Sequence, residues 1–314
     1  MRRYYERVQL PPFVTRLAEE HAEDIGFSTL KQASAVLSQA YRERRAVHLP
    51  DRERVAAYLV TRMPATYAAA YSVLRELHQR LGGNAIKSVL DIGSGTGAAS
   101  LAARAWFPDA AITMVETDAA FAAVARQLIP DATFASMHLP RPLPPHDLVI
   151  AAYSLGEIRQ AIARPLWHAA KVALVAIEPG TPQGFALIRG IRTELLGEGA
   201  HMAAPCPGAM PCPIIDPDWC HFAARVERSS LHRRVKEGAL GHEDEKYSYL
   251  AVTREPVVLP AARIVRHPQQ RPGLIVLETC TIEGLESVRV TKRDRDAFRE
   301  ARKSDWGSEW GKVS

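Results

Sequence analysis

Short apolar segments alternate with helix-like segments between residues 88 and 180, and this alternation restricts the possible folds more than any other feature. Helical spacing of apolar residues appears in AASLAARAWF and AAFAAVARQLI, which separate the apolar segments. Strands that alternate with helices form a parallel sheet with helices on both faces. The sequence therefore predicts an α/β protein with a Rossmann-like sheet. We expect its first strands at residues 88–93, 110–118, 132–136, 146–155 and 171–180.

The segments on either side of this core predict a helical lobe and a cysteine-rich insertion. Apolar residues recur at helical spacing before the Gly-Gly-Asn break at residues 82–84. Two more strand-like segments, at residues 246–254 and 273–282, are expected to complete the core sheet. We divide the chain into an N-terminal helical lobe, a core, a cysteine-rich insertion, and the last two strands with a basic tail, at residues 1–84, 85–200, 201–245 and 246–314.

A glycine-rich loop, LDIGSGTG, follows the first expected strand and opens a helix. Glycines allow tight turning, and amides at a helix start hold polar or anionic ligand atoms. The D-x-G-x-G-x-G spacing favours S-adenosylmethionine, with a nicotinamide cofactor as the main alternative. Glu116 lies about 20 residues further on, where a carboxylate can accept ribose hydroxyls. The candidate cofactor residues, the last two expected near adenine, are Asp91, Gly93, Ser94, Gly95, Gly97, Glu116, Ser136 and Met137.

The end of the fourth expected strand is where a fold of this kind presents groups to a methyl acceptor. The sequence AAYSLGEI offers Tyr153 and Glu157 as catalytic candidates, with a plain strand end and helix cap as the alternative. It contains neither an N/D-P-P-aromatic motif nor a Pro-Cys nucleophile. Methyl transfer can still proceed by positioning alone, because the sulfonium of the cofactor is already activated.

Three of the four cysteines lie in one proline-rich loop, at Cys206, Cys212 and Cys220, and Cys280 lies on a later expected strand. Four thiolates suit either zinc or an iron–sulfur cluster. Zinc sites usually contain C-x2-C knuckles, which are missing here, so the wider gaps favour the bulkier cluster. His201 and His221 are alternative ligands, although solvent-facing histidines are commoner. Buried thiols without any ligand, and a catalytic thiol, are the remaining alternatives.

Composition narrows the partners and the compartment without identifying a function. The chain of 314 residues has a net charge of +5 and a pI near 9.1, which permits a nucleic-acid partner. No stretch approaches the roughly 20 apolar residues of a membrane span, so no membrane partner is expected. Residues 1–13 lack the apolar region of a secretory signal. We expect a cytoplasmic monomer, in a reducing compartment where clustered cysteines are more often metal ligands than disulfides.

Together these motifs resemble the ribosomal small-subunit methyltransferase-like family, which includes mitochondrial methyltransferase-like protein 17 and bacterial relatives. The resemblance covers about residues 85–285, through LDIGSGTG, DLVIAAYSLGEI, EPGTP, CPGAMPCP with DWCHF, and DEKYSYLAV. It implies a class I methyltransferase fold, S-adenosylmethionine binding, and a [4Fe-4S] cluster held by the four cysteines. It also implies association with the small ribosomal subunit during assembly.

Basic residues after the cysteine loop fit an RNA-facing role in such a protein, because lysine and arginine neutralise phosphates. The candidate RNA-binding residues are Arg225, Arg228, Arg233, Arg234 and Lys236. The sequence leaves three functions open: an rRNA methyltransferase, a non-catalytic ribosome assembly factor, and a small-molecule methyltransferase with a structural zinc. We expect the cluster to be structural.

Overall fold

The computed structural model describes residues 7–43, 48–82, 85–135, 142–158 and 162–311. Helices occupy the N-terminal region, as the apolar spacing predicts. Three of them have a proline at or next to their first residue, where a missing amide hydrogen does no harm. These helices are α1 (Pro12–Ile25), α2 (Phe27–Glu43), α3 (Asp51–Thr61) and α4 (Met63–Leu81).

A mixed sheet forms the centre of the protein, and its first five strands are parallel. Their spatial order, β3-β2-β1-β4-β5, is that of a doubly wound sheet. Local sequence sets the connections: the Asp118 side chain accepts two amide hydrogen bonds at the start of α6. The elements are β1 (Ser88–Ile92), α5 (Ala98–Trp106), β2 (Ala111–Val115), α6 (Ala119–Leu128), β3 (Thr133–Ala135), β4 (His146–Ala152), α7 (Ala163–Ala169) and β5 (Ala170–Pro179).

The next segment returns to the same sheet. Its elements are α8 (Pro182–Gly197), β6 (His201–Ala204), β7 (Phe222–Glu227), α9 (Ser230–Val235) and β8 (His242–Thr253). Strand β8 runs antiparallel to β5, and both β6 and β7 pair with β8. The region expected as an insertion thus supplies two strands of the main sheet, β6 and β7, which both pair with β8. The cysteine loop (residues 205–221) connects them.

The expectation that residues 273–282 form the last strand of the core sheet is wrong. They form a strand of a second, five-stranded sheet, because they pair with a neighbouring hairpin strand and with a short strand before them. This sheet has its own small apolar core, which includes Ile264, Ile275 and Leu277. Its elements are β9 (Ala262–Ile264), β10 (Gln269–Arg271), β11 (Leu274–Thr281), β12 (Gly284–Thr291), α10 (Arg295–Ala301) and β13 (Glu309–Trp310).

Helices cover both faces of the main sheet. On one face α4, α5 and α6 contribute to a large apolar core, and on the other α7 and α8 form a second one. Helix α4 packs against α5, β7 and β8, so this helix belongs to the sheet's covering layer and does not stand apart in a separate lobe. Within the described ranges, no helix combines the length and apolarity needed to cross a membrane.

Candidate functional sites

The glycine loop between β1 and α5 (residues 93–97) turns through three glycines with positive φ. The φ values of Gly93, Gly95 and Gly97 are +65°, +56° and +90°, which other residues rarely adopt. A Cβ atom on Gly93 would lie 2.5 Å from the Cβ atom of Ser154. The loop therefore passes directly against the end of β4, and this close approach requires glycine.

The carboxylate of Glu116, which follows β2, holds this loop from the side. Its Oε2 accepts a hydrogen bond from the Gly95 amide at 2.7 Å. Its Oε1 accepts hydrogen bonds from the amides of Thr117 and Asp118, both at 2.7 Å. The structure thus brings Glu116 to the loop that the sequence paired it with.

Buried polar atoms line the base of the glycine loop. Ser94 Oγ and Thr96 Oγ1 are buried and have no hydrogen-bond partner among the described residues. Because buried polar atoms are normally paired, these two hydroxyls suit a polar ligand. Asp91 instead accepts a hydrogen bond from Ser100 Oγ at 2.7 Å, and burial raises its pKa to about 6. Asp91 therefore braces the loop against α5.

The cofactor residues expected from the sequence are gathered in part. Asp91, Glu116 and the glycines of the loop lie together at the ends of β1 and β2. Ser136 and Met137 lie outside the described residues, so their place near adenine stays a prediction.

Helix α3 packs over the glycine loop, a contact that no sequence motif indicates. Arg54 forms an ion pair with Asp118 at 2.6 Å. The rings of Tyr58 and Phe121 lie 4.9 Å apart, and the Tyr58 hydroxyl is 3.9 Å from the Cβ position of Gly95. The only available signal was the four-residue spacing of Arg54 and Tyr58, which places both on one helix face.

Tyr153 lies at the end of β4 in an unusual conformation, with a φ of 57°. Its hydroxyl donates a hydrogen bond to Glu245 Oε1 at 3.1 Å, and Arg62 donates to the same oxygen at 3.4 Å. Burial and the Glu245 carboxylate raise the pKa of Tyr153 well above its usual value. Glu157 is exposed one turn further on. The hydroxyl of Tyr153 is thus bound by another side chain of the protein, whereas the second catalytic candidate, Glu157, is exposed.

The four cysteines line one cavity of about 50 Å³ between α8, the cysteine loop and the second sheet. All four are free thiols; Cys280 is buried and the other three are half-buried. One water molecule needs about 10–15 Å³, so the cavity has room for several atoms. Within the described ranges, no three His, Cys, Asp or Glu side chains form a group that could hold one metal ion.

Burial raises the pKa of three of these thiols. The pKa of Cys206 is raised, that of Cys220 lies well above its usual value, and that of Cys280 is raised to about 12. The neighbouring thiols act in the same direction as burial, since each thiolate would repel the others. The thiol form is therefore favoured at neutral pH, and a metal centre that binds thiolates would displace protons.

Three arginines also line the thiol cavity, Arg189, Arg192 and Arg263, and two of them are buried. Arg192 on α8 and Arg263 on β9 are only 5% and 4% exposed. Arg192 Nη2 donates to the carbonyl oxygens of Gly208 and Met210, at 3.1 and 2.6 Å. These contacts span distant segments, and no motif in the sequence indicates them.

Two residues of the candidate RNA-binding set are tied to carboxylates of β8. Arg225 forms two hydrogen bonds with Asp244, both 2.7 Å long. Arg228 donates to Glu243 at 2.7 Å. These pairs neutralise part of the charge that the sequence assigned to RNA binding.

The other three basic residues lie on or just after α9. Arg233 and Arg234 are exposed, and the Arg234 guanidinium lies 4.6 Å from the centre of the Phe27 ring. Lys236 is half-buried, with Nζ 3.4 Å from Ser38 Oγ. Only the two exposed arginines face solvent without an ion pair within the described residues.

Solved structures that the protein resembles include two methyltransferases. One is precorrin-6y C5,15-methyltransferase from Geobacter metallireducens, at a TM-score of 0.39 and 15% identity, covering 58% of this chain and 87% of that one. The other is magnesium protoporphyrin IX methyltransferase from Synechocystis, also at 0.39 and 15%, covering 71% and 97%.

Curated relatives are mitochondrial proteins by name. Human "Ribosome assembly protein METTL17, mitochondrial" is 27% identical, and the match covers 80% of this chain and 61% of the human protein. "Rsm22-cox11 tandem protein 2, mitochondrial" of Schizosaccharomyces pombe is 25% identical, with 90% and 46% covered. The chain thus spans about half to three-fifths of the length of these relatives.

The sequence profile of one family extends over most of the chain. It is described as "Mitochondrial small ribosomal subunit Rsm22" and matches residues 52–311. The match includes the glycine loop, all four cysteines and both sheets. The protein therefore belongs to the Rsm22 family.

Proposed function

We propose that this protein binds S-adenosylmethionine and a [4Fe-4S] cluster and acts on the small ribosomal subunit, in rRNA methylation, subunit assembly or both. The observation that carries the proposal is the convergence of four thiols from separate segments on one cavity. Membership of the Rsm22 family supports the ribosomal part, because the family description and the human relative's name both refer to the ribosome.

The glycine loop supports the cofactor assignment. The unpaired hydroxyls of Ser94 and Thr96 are available for a polar ligand. Glu116 uses part of its acceptor capacity on the Gly95 amide, and a carboxylate has about four lone-pair sites, which leaves room for ribose hydroxyls. Bound S-adenosylmethionine would supply an activated methyl group, and the loop would hold and orient it.

The cysteine loop supports a cluster more than the alternative, zinc. The thiols share a cavity but do not form a group suited to one ion, and a cluster of several irons holds its ligands further apart than one zinc does. Cys206, Cys212, Cys220 and Cys280 would be the ligands. The cluster would fasten the loop to β11 of the second sheet, which is a structural role.

Contact with rRNA is proposed for the α9 region. Arg233 and Arg234 are exposed there and lie on a short helix beside β8. Arg225, Arg228 and Lys236 lie around them and complete the candidate RNA-binding set. The guanidinium of an exposed arginine can donate two parallel N–H···O hydrogen bonds to one phosphate.

A second candidate function, a non-catalytic assembly factor, is favoured by the surroundings of Tyr153. In this fold class the end of β4 presents groups to the methyl acceptor. Here Glu245 and Arg62 bind the Tyr153 hydroxyl, so the chain's own residues occupy the polar groups that an acceptor would meet. The third possibility, a small-molecule methyltransferase with zinc, has no observation of this kind in its favour.

One substitution separates the two leading functions. Gly95→Arg places a long side chain in the glycine loop and should abolish S-adenosylmethionine binding in calorimetry. Gly197→Arg is the matched control, because this exposed glycine has open space around its Cβ position. A specific rRNA methyl mark that disappears only in Gly95→Arg cells identifies an enzyme. Unchanged marks together with impaired subunit assembly identify an assembly factor.

The cluster is tested separately by anaerobic purification. We expect about four iron and four sulfide per chain in the wild-type protein. Zinc without sulfide would refute the cluster, and co-purifying RNA unrelated to the small subunit would refute the ribosomal assignment.

A further inference from the structure

The thiol cavity contains a buried positive charge that no carboxylate of the described residues balances. Burying a guanidinium is costly unless it meets an anion or a full set of acceptors. The two buried arginines of the cavity, Arg263 and Arg192, differ in this respect.

Arg263 is fully balanced. It forms an ion pair with Glu76 of α4, and its Nε and Nη1 donate to the carbonyl oxygens of Pro205 and Gly307, both at 2.9 Å. Tyr249 donates to the second oxygen of Glu76 at 2.7 Å. The charge of Arg263 is therefore neutralised within the protein.

Arg192 is not balanced. Its Nη2 binds two carbonyl oxygens of the cysteine loop, those of Gly208 and Met210. Its Nε is buried without a hydrogen-bond partner, and within the described residues no carboxylate forms an ion pair with it. The thiol of Cys206 lines the same cavity as Arg192, together with the other three thiols.

We propose that Arg192 is a positioning residue for the sulfur-ligated centre: it supplies the counter-charge to this anionic group and donates its free Nε–H to a sulfur. The inference rests on the proposed function, in which four cysteines hold the centre. Four thiolates around a doubly charged core leave a dianion. A neighbouring cation and an N–H···S hydrogen bond both favour the more negative, reduced form and raise the reduction potential.

The same geometry assigns Arg192 a second task. Because Nη2 holds the carbonyls of Gly208 and Met210, which lie between the first two cysteines, the guanidinium fixes that part of the loop and faces the centre at the same time. Outer contacts of this kind orient metal ligands, and their loss weakens metal binding by about 10–100-fold.

Arg189 offers a matched control on the same helix face. It also binds the cysteine loop, through the Ile214 carbonyl at 3.1 Å. Its charge, however, is near Asp216 at 3.7 Å, and its side chain is 31% exposed. Arg189→Gln therefore removes a loop contact without removing an unbalanced buried charge.

The experiment compares anaerobically purified wild type, Arg192→Gln, Arg192→Lys and Arg189→Gln. We expect Arg192→Gln to lower the midpoint potential of the cluster, Arg192→Lys to restore most of it, and Arg189→Gln to leave it unchanged. The potential is followed by the cluster's visible absorption during redox titration. A potential that is equal in wild type and Arg192→Gln, or lowered equally by Arg189→Gln, overturns the inference.

A second measurement, release of the metal to a chelator, tests the inference if the cluster cannot be reduced reversibly or if Arg192→Gln fails to fold. Release of the metal to a chelator should be about tenfold faster in Arg192→Gln than in Arg189→Gln; if only the lysine variant folds, it should still retain its metal as wild type does. Equal release rates overturn the inference. Metal analysis of the wild type tests the proposed function separately. If zinc is found, the cluster is refuted, but the release rates still test whether Arg192 supplies the counter-charge.

Discussion

The glycine loop takes its contacts from β1, β2 and the start of α5, whereas the thiol cavity takes its contacts from α8, the cysteine loop, β9 and β11. In the glycine loop, main-chain amides make the contacts: those of Gly95, Thr117 and Asp118 all donate hydrogen bonds to the Glu116 carboxylate. In the thiol cavity, side chains that are far apart in sequence meet, and two of them carry buried positive charge.

This difference sets how each region should respond to substitution. A loop held by its own backbone is sensitive to added atoms and to backbone conformation, and much less to the removal of a side chain. A cavity assembled from separate elements depends on each side chain that links two of them. The loss of one link should loosen the cysteine loop without disturbing the glycine loop.

The largest effect is expected from Cys220→Ser. The other three thiols line the same cavity as Cys220, so its loss should remove most of the iron and sulfide of the proposed cluster and unfasten residues 205–221. Hydrogen exchange should then rise throughout that loop and stay unchanged in β1 and α5, while S-adenosylmethionine still binds.

Ser248→Ala is the control for this comparison. The Ser248 hydroxyl donates to the Cys220 carbonyl at 2.7 Å, so the variant weakens the support of the same residue and keeps the ligand. We expect a loss of about 1 kcal/mol with full metal content. Equal loss of metal in both variants would mean that loop support, and not the thiol, holds the centre.

Arg263→Met comes next. Removing one partner of a buried ion pair costs about 3–5 kcal/mol in the free energy of unfolding. We expect a loss at the lower end of this range, because the largely buried Glu76 loses its pairing with Arg263 but keeps Arg80 at 3.4 Å. Adding Glu76→Gln should recover part of the loss, which a double-mutant cycle from urea unfolding would measure.

Arg104→Met tests whether burial accounts for the large loss of stability expected for Arg263→Met. Arg104 pairs with Asp131 at 2.8 Å, but the two side chains are 33% and 65% exposed. Pairs of this kind contribute about 0–1 kcal/mol. A similar loss in both variants would contradict the view that Arg263 is a central link of the thiol cavity.

Gly93→Ala should destabilise the protein by about 2–4 kcal/mol, because it combines a positive φ with a close contact to Ser154. Gly95→Ala has the same φ region but only an ordinary contact at its Cβ position, to the Tyr58 hydroxyl at 3.9 Å, so about 1–2 kcal/mol is expected. Urea unfolding of the two variants separates the contact from the backbone strain. Equal losses would show that the approach of β4 to the loop contributes nothing.

The glycine loop and the thiol cavity also differ in how many of their contacts could be predicted from the sequence. The glycine loop and Glu116 lie close in sequence, so their spacing was enough to place them together. The four cysteines, which the sequence grouped by their rarity and by family resemblance, line one cavity, and their role as ligands stays a prediction. Arg192, Arg263 and the Tyr153–Glu245–Arg62 contacts were not predicted, because each joins elements whose relative positions depend on the whole fold.

The misplaced strand at residues 273–282 shows the same limit and also a missed signal. An apolar segment after β8 is compatible with either sheet, and the choice depends on partners elsewhere in the chain. Burial nevertheless alternates along β11, while β5 is buried almost throughout. Alternation is typical of an antiparallel sheet with one covered face. The sequence LIVLETCT begins with four consecutive apolar residues, so the charge of Glu278 in the middle of the strand was the signal for an exposed face.

Apart from the control variants, the smallest predicted effect is a pH dependence at the glycine loop. Burial is the main reason that the pKa of Asp91 is raised to about 6; the Glu116 carboxylate adds to it, and the Ser100 hydrogen bonds oppose it. A raised carboxyl pKa means that the neutral form stabilises the fold. This contribution is complete below the unfolded-state value of 3.8 and is lost as pH rises through about 6.

Asp91→Asn stays neutral and keeps an oxygen that can accept the Ser100 hydrogen bond. Its stability relative to wild type should therefore rise by about 2 kcal/mol between about pH 4.5 and about pH 7, as measured by urea unfolding at each pH. Asp118→Asn should show the opposite trend, and at lower pH. Although burial alone would raise the pKa of Asp118, the Arg54 hydrogen bond and charge lower it below 3.8. Wild type therefore gains relative to that variant as pH rises towards 3.8, and the difference is nearly constant above about pH 4.5. Parallel pH profiles for the two variants would contradict the account of the loop in which Asp91 is a buried brace and Asp118 a paired cap, because only different surroundings give the two carboxyls opposite signs.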